Sequence, residues 1–191
     1  REVGKLFDNF YISNTSLAGN IAFHLGVTLI IMVIGVGIII VAFTRKSKNQ
    51  DNYDKLCELD ERFRDNIGEL ENVADYVDKS LGAFVYKNHL ILNTKFGFDM
   101  FNLDNLVWLY HNVTKHKMYL VITVSIDFAL QINLYEDGRI REQRVMLTND
   151  KKAEDAIGSL LTYIGMNYPN ALIGFTPETK QAYQEFKLSH K

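Results

Sequence analysis

The run from Ile21 to Phe43 constrains this chain more than any other feature, because it holds 23 residues without Asp, Glu, Lys or Arg. A helix of this length is roughly 34 Å long, enough to cross a hydrocarbon core of about 30 Å. A cleaved signal peptide usually has a shorter apolar stretch, of about 7–15 residues. A soluble domain of this size could hardly surround a helix that is apolar on every side. The sequence therefore predicts one transmembrane helix over residues 21–43.

The basic residues around this run predict its orientation. Arg45, Lys46 and Lys48 follow it within a few positions, whereas the two basic residues before it lie further away. Cytoplasmic flanks carry an excess of Lys and Arg. We therefore expect a single-pass cell-membrane protein in which residues 1–20 form a short extracytoplasmic segment and residues 44–191 lie in the cytoplasm. A single cysteine agrees with a reducing compartment.

Small residues within the span favour close approach of a second helix. Ala22 and Gly26 are four positions apart, and Gly35 and Gly37 add a second smooth patch. These residues predict helix association in a homo-oligomer or with a protein partner. Spans that pair with nothing also contain such residues, so that alternative stays open.

A basic and polar linker over residues 44–53 precedes a stretch with helical periodicity over residues 54–80. This stretch holds nine acidic and four basic residues, so an anionic membrane surface would repel it. We expect an acidic amphipathic helix that packs on its own domain, with a coiled-coil dimer as the alternative. The apolar residues that would share its face are Leu56, Leu59, Phe63, Ile67, Leu70, Ala74 and Val77.

From residue 83 the hydrophobic period changes from 3.6 to 2, which predicts seven short antiparallel strands. Asp137-Gly138 is typical of the turn of a β-hairpin. The predicted strands are Ala83–Lys87, His89–Lys95, Phe98–Asn102, Leu106–Asn112, Lys117–Ser125, Phe128–Tyr135 and Arg139–Leu147.

A helix that follows the last strand completes a predicted β-domain of residues 81–168. Asn149 or Asp150 can cap this helix, because a short side-chain oxygen accepts N–H groups of the first turn. The tail of residues 169–191 carries a last short helix, from Pro177 to about Phe186, with Thr176 as its cap. The predicted fold class is α+β.

Seven antiparallel strands followed by a closing helix resemble the pleckstrin-homology-like (PH-like) fold in its bacterial form, in which a membrane helix often precedes the domain. The segments that carry the likeness are Phe84–Leu92, Phe101–Trp108 and Leu134–Arg139. The whole chain resembles an uncharacterised bacterial family of single-pass membrane proteins. The resemblance implies a binding or assembly module and supplies no catalytic residues.

Composition and motifs argue against nucleic-acid binding and against catalysis. A net charge of −2 lacks the basic field of a nucleic-acid binder. The sequence has no nucleophile elbow, P-loop, zincin or C-x-x-C motif. Cys57 lies beside the apolar face of the acidic stretch, which favours a buried structural thiol. His111 and His116 have no nearby carboxylate to complete a metal site. We therefore expect no enzyme, no cofactor and no metal.

Three functions are compatible with these features. The expected one is a membrane-anchored interaction or scaffold module that captures a protein partner on a strand edge or a free sheet face. The alternative is a sensor of lipid or a small ligand at the inner membrane face, with a loop at Lys115 and Lys117 contacting an anionic surface. An enzyme with an unrecognised site is the third. Trp108 and Tyr110 are expected in the core.

Overall fold

A computed structural model describes residues 17–94, 97–118, 122–147 and 153–190, and the side chains of 23–94, 97–114, 127–147 and 154–190. The chain forms two units that divide after Lys48. The class is α+β, with a long apolar N-terminal helix, two sheets that are mainly antiparallel, and C-terminal helices.

The first helix, α1, runs from Leu17 to Leu59. It is the one described helix with the length and composition to cross a membrane, with a mean hydropathy of 3.0 over its most apolar 18 residues and none of that stretch buried. Its threonine hydroxyls donate to backbone carbonyls one turn earlier in the helix, Thr28 to His24 and Thr44 to Ile40. The prediction of a span-length apolar helix is confirmed.

The expectations for residues 44–80 are wrong. α1 continues through the predicted linker of residues 44–53, and the predicted amphipathic helix of residues 54–80 breaks into short pieces. After α1 come α2 (Arg62–Asp65), a 3-10 turn (Ile67–Glu69), α3 (Leu70–Val73) and strand β1 (Tyr76–Asp78). The coiled-coil alternative required the long helix and is wrong for the same reason.

Side chains that bond to nearby backbone break the helical ladder in this segment. The Asp60 carboxylate accepts the backbone N–H of Arg62 at 3.1 Å. Asn66 is extended, with φ of −151°, and its side-chain oxygen accepts the N–H of Gly68 at 2.9 Å. Such local bonds compete with helix formation. The apolar residues with helical spacing are therefore divided among turns instead of sharing one helix face.

The first sheet has the order β1-β2-β3-β4, and all its pairs are antiparallel. Its further strands are β2 (Ala83–Tyr86), β3 (His89–Thr94) and β4 (Gly97–Asn102). Lys87 and Asn88 connect β2 to β3 with φ of 43° and 59°. Two successive residues with positive φ make the tight turn whose twist matches the flanking strands.

The second sheet has the order β7-β6-β5-β8. Its strands are β5 (Leu106–Met118), β6 (Ile122–Glu136), β7 (Arg139–Met146) and β8 (Leu172–Ile173). β8 runs parallel to β5, and the other pairs are antiparallel. The predicted turn at Asp137-Gly138 joins β6 to β7, with φ of 52° and 74°.

The described residues contain eight strands, and their limits differ from the seven predicted. Long strands β5 and β6 replace three predicted ones, because their pairing runs from Leu106 opposite Leu134 to Met118 opposite Ile122. The break predicted between Asn112 and Lys117 is absent, because residues 113–116 continue β5 and pair with β6. β1 and β8 are too short to give a periodic pattern.

Two helices complete the described chain: α4 (Ala153–Asn167) follows β7, and α5 (Pro177–Ser189) follows β8. Thr176 caps α5 in a reciprocal capping box with Thr179, and Pro177 occupies the first turn, as predicted. The predicted caps of α4, Asn149 and Asp150, lie outside the described residues.

The main core lies between the two sheets and α4. Its buried residues are Leu81, Ala83, Val85, Leu90, Leu92, Phe101, Leu103, Leu106, Leu109, Phe128, Leu130, Ile132, Leu134, Val145, Leu147, Ala156, Ile157, Leu160 and Ile164.

Candidate functional site

Each sheet turns one face to the main core and carries a separate apolar cluster on its outer face. In β2 and β3, Val85 and Leu90 belong to the main core, whereas their neighbours Tyr86 and Ile91 belong to an outer cluster. This alternation places the two sets on opposite faces of the first sheet. We call residues 49–74, which lie over this outer face, the first cover. We call helix α5, which lies over the outer face of the second sheet, the second cover.

The first cover is held by apolar burial. Leu56 and Phe63 have no exposed surface, and Cys57 and Leu70 are almost as deeply buried. The ring of Phe63 meets that of Tyr86 edge to face, with centroids 5.3 Å apart. Cys57 is therefore buried, as predicted. The last turns of α1 are part of a hydrophobic cluster of the β-domain, which begins near residue 49 instead of at the predicted residue 81.

A polar cluster fixes the end of α1 to the turn between β2 and β3. The Lys87 ammonium donates to the carbonyl of Leu59 at 2.6 Å, which satisfies a carbonyl left free where the helix ends. The Tyr86 hydroxyl donates to the Asp60 carboxylate at 2.6 Å, and the Arg62 guanidinium donates to it twice. These bonds from Arg62 and Tyr86 hold the pKa of Asp60 well below its usual range. A carboxylate held in its ionised form serves here as a structural acceptor.

The second cover rests mainly on aromatic contacts. Tyr183 is its one fully buried residue, and its ring lies 4.7 Å from that of Trp108. Trp108 is 4% exposed and donates through Nε1 to the carbonyl of Gly174 at 2.8 Å. Phe175, although 60% exposed, stacks on the indole with ring centroids 5.6 Å apart. The prediction that Trp108 and Tyr110 belong to the core is confirmed for Trp108, and Tyr110 packs half-buried in the same cluster.

Charged groups at the rim of the second cover tie α5 to β7. The Glu142 carboxylate accepts from the Lys187 ammonium at 2.7 Å and from the Tyr183 hydroxyl at 3.0 Å. The bond from Lys187 is the main cause of the lowered pKa of Glu142. Burial, together with the bond to Glu142, raises the pKa of Tyr183. These shifts belong to a packing contact between α5 and the sheet.

Among the described side chains, both outer faces carry covering groups over part of their area, and the expected free sheet face stays a prediction. Beyond α5, the Arg144 guanidinium lies on the outer face of the second sheet and donates to the Thr114 hydroxyl at 3.1 Å. Ala129, on the strand between them, has no exposed surface.

The strand edges differ in how far other groups occupy them. On β4, the Phe98 carbonyl accepts from the Asn52 side-chain amide at 2.7 Å. On β5, β8 pairs with Trp108 and Leu109. β7 pairs with β6 along its length, and within the described part of the chain no strand lies on its other side.

The glycines predicted for helix association lie where a neighbour could approach. Apart from the glycine itself, its two chain neighbours and the nearby backbone of its own helix, no described atom lies within 4 Å of the point where a Cβ of Gly26, Gly35 or Gly37 would stand. The side chain of Ala22 lies outside the described set. Helix association through these four residues stays a prediction.

The basic residues predicted as membrane-contact sites lie in helix α1 and in strand β5. Arg45, Lys46 and Lys48 are exposed on α1 directly after its apolar run. Lys115 and Lys117 lie in strand β5, with a bulge between His116 and Lys117, so the loop predicted there is wrong. The side chains of these two lysines are outside the described set, and their contact with an anionic surface stays a prediction.

The described side chains bring together no group of three His, Cys, Asp or Glu residues that could hold a metal ion. A partly open groove of about 370 Å³ lies beside α5, lined by Asp104, Tyr135, Leu172, Phe186 and their neighbours. One carboxylate at a mainly apolar wall does not form a catalytic set.

Sequence reasoning missed the cluster of Asp60, Tyr86 and Lys87. The sequence indicated only the turn at Lys87-Asn88, because these two polar residues lie between two apolar strands. The bond from Lys87 to Leu59 joins residues 28 positions apart, which periodicity does not report.

Comparison of the chain with protein-family models, with curated proteins and with solved structures gives no match.

Proposed function

We propose that this chain is a membrane-anchored protein-interaction module, in which α1 crosses the membrane and the second unit holds a partner. One observation carries the proposal: the last turns of α1 are part of the hydrophobic cluster on the outer face of the first sheet. Leu56 and Cys57 of α1 are buried there, and Lys87 binds the last carbonyl of the helix. A folded β-domain is thus continuous with a helix of membrane-crossing length.

The folded unit is proposed to be a PH-like domain. The support is the order of its elements: four antiparallel strands, then the antiparallel series β5-β6-β7, then α4 packed on the core between the sheets. The chain adds β8, α5 and the first cover to this plan. A sheet domain of this kind offers backbone edges and grooves for peptide capture.

The domain is proposed to lie on the cytoplasmic side, because Arg45, Lys46 and Lys48 follow the apolar run. Protease added to intact cells from which the outer envelope has been removed should leave residues 44–191 uncut. The same protease should cut them in inverted membrane vesicles. Cleavage in the intact cells would reverse the orientation.

The interaction is tested by mild cross-linking and co-purification of the full-length chain from native membranes. The matched control carries an unrelated apolar span in place of residues 21–43. A stoichiometric partner retained by both chains supports a binding surface in the second unit. A partner lost with the replaced span places the interface at Gly26, Gly35 and Gly37.

Absence of a partner in both preparations contradicts the proposal. Binding of the chain to anionic vesicles, lost with Lys115→Ala and Lys117→Ala, would then favour the lipid-sensing alternative. Cross-linking and vesicle binding therefore distinguish a protein-binding surface from a lipid-sensing surface.

A further inference from the structure

The free edge of β7 is a described surface that suits a partner strand. β7 has eight residues, of which Arg139, Arg141, Glu142, Arg144 and Met146 are exposed. A strand of this length offers an edge of about 26 Å. Asn52 bonds to one carbonyl of β4, and β8 pairs with two residues of β5, so part of each of these edges is occupied.

The register identifies which backbone groups of β7 point away from β6. The N–H of Leu147 donates to the carbonyl of Phe128 at 2.9 Å, so the backbone of Leu147 faces β6. Backbone groups alternate between the two sides of an antiparallel strand. The N–H and C=O groups of Ile140, Glu142, Arg144 and Met146 therefore face the free edge.

The charge of β7 selects the kind of strand that could pair with it. The strand carries three arginines and one acidic residue. That acidic residue, Glu142, already binds Lys187 and Tyr183 of the second cover. Arg141 in turn donates to the Glu136 carboxylate of β6 at 3.3 Å. Three arginines therefore stand against the two carboxylates of Glu136 and Glu142, and the edge keeps a net positive charge toward an incoming chain. Cross-strand pairs of opposite charge stabilise a sheet.

We propose that the free edge of β7 binds an extended acidic segment of a partner protein, which adds to the second sheet as a further strand. This inference rests on the proposed interaction function and names the chemistry of its partner. A second copy of the same edge is disfavoured, because it would bring three arginines from each copy together. The same charges repel a basic segment.

The test uses the full-length chain in micelles of an uncharged detergent and a labelled octapeptide of alternating glutamate and threonine. Fluorescence anisotropy measures binding. The matched peptides replace every glutamate by glutamine or by lysine. We expect binding of the glutamate peptide to weaken at high salt, the glutamine peptide to bind at least about tenfold more weakly, and the lysine peptide not to bind.

Two variants separate strand addition from general charge attraction. Met146→Pro removes one backbone N–H from the free edge and leaves the N–H groups that face β6 in place. We expect it to weaken binding of the glutamate peptide about tenfold, as the loss of one backbone bond and the added ring predict. Met146→Thr should bind the glutamate peptide as the native chain does.

The double change Arg139→Gln and Arg141→Gln tests the contribution of charge. It should weaken binding by a similar factor and remove most of its salt dependence.

Equal binding by Met146→Pro and Met146→Thr would overturn strand addition, even if the acidic peptide binds. Failure of every peptide to bind would also overturn the inference. If a partner is still cross-linked in membranes after that result, the interaction function stands and another surface carries it.

Discussion

The two covers close the outer faces of the two sheets by different means. The first cover buries Leu56, Cys57, Phe63 and Leu70 against the first sheet, whereas the second buries only Tyr183. The second instead relies on ring contacts around Trp108 and on a charged rim. We infer that the first cover contributes to the stability of the whole domain, whereas α5 can loosen while the sheets stay folded.

The chain holds one natural probe for each cover. Cys57 is the only cysteine and is 3% exposed within the first cover. Trp108 is the only tryptophan and lies under the second cover. The rate of thiol labelling and the emission of the indole therefore report on the two regions separately in one protein.

The largest expected effect is that of Phe63→Ala. Removing a fully buried ring should lower the free energy of unfolding by about 3–5 kcal/mol. Urea unfolding of the full chain in micelles measures it. The control is Phe175→Ala, whose ring is 60% exposed and which should cost less than about 1 kcal/mol. A loss for Phe63→Ala as small as that for Phe175→Ala would contradict the inference that the first cover contributes to the stability of the whole domain.

Tyr183→Ala should have a smaller and more local effect. Loss of this buried ring should cost about 1.5–3 kcal/mol and shift the emission of Trp108 to longer wavelength, because α5 no longer shields the indole. Cys57 labelling should stay unchanged. Tyr183→Phe keeps the ring and loses only the bond to Glu142, so it should cost about 0.5–1.5 kcal/mol. If Tyr183→Ala exposes Cys57 as well, the two covers unfold together.

Lys87→Met tests the polar fixation of the first cover. The bond to Leu59 is lost, while most of the side-chain volume remains, so the expected cost is about 0.5–1.5 kcal/mol. Cys57 labelling should become faster and Trp108 emission should not change. Lys55→Met, at an exposed position of α1, is the matched control and should leave both probes as they are.

The smallest expected effect is the pH dependence of the second cover. The pKa of Glu142 is lowered in the folded state from 4.5, so its ionised form stabilises the fold above that value. This contribution should be lost as the pH falls through the lower, folded pKa, and for so exposed a pair it amounts to about 0.2–1 kcal/mol. Trp108 emission should shift at a higher pH than the global unfolding. In Glu142→Gln this separate shift should disappear.

Local signals in the sequence predicted the elements that depend on nearby residues. The uncharged run gave the long apolar helix, Asp137-Gly138 gave the β6–β7 turn, and Thr176-Pro177 gave the start of α5. Each of these elements is specified within a few residues of chain.

The first cover could not be predicted from periodicity, because apolar residues three or four apart also suit a chain of short turns packed on a sheet. Asp60 and Asn66 decide between the two by bonding to nearby backbone. Strand β8 was missed because only its pairing with Trp108 and Leu109 defines it. The contact of Lys87 with Leu59 likewise depends on the tertiary fold.

Labelling of Cys57 in the full-length chain is the most direct test of the claim that the end of α1 belongs to the hydrophobic cluster on the outer face of the first sheet. With a maleimide in uncharged micelles, we predict labelling at least about a hundredfold slower than in the urea-unfolded chain, since each 1.4 kcal/mol of opening free energy slows it about tenfold. Phe63→Ala should remove most of this protection. Labelling of the native chain at the unfolded rate, with the Trp108 emission still that of a buried indole, would contradict the claim.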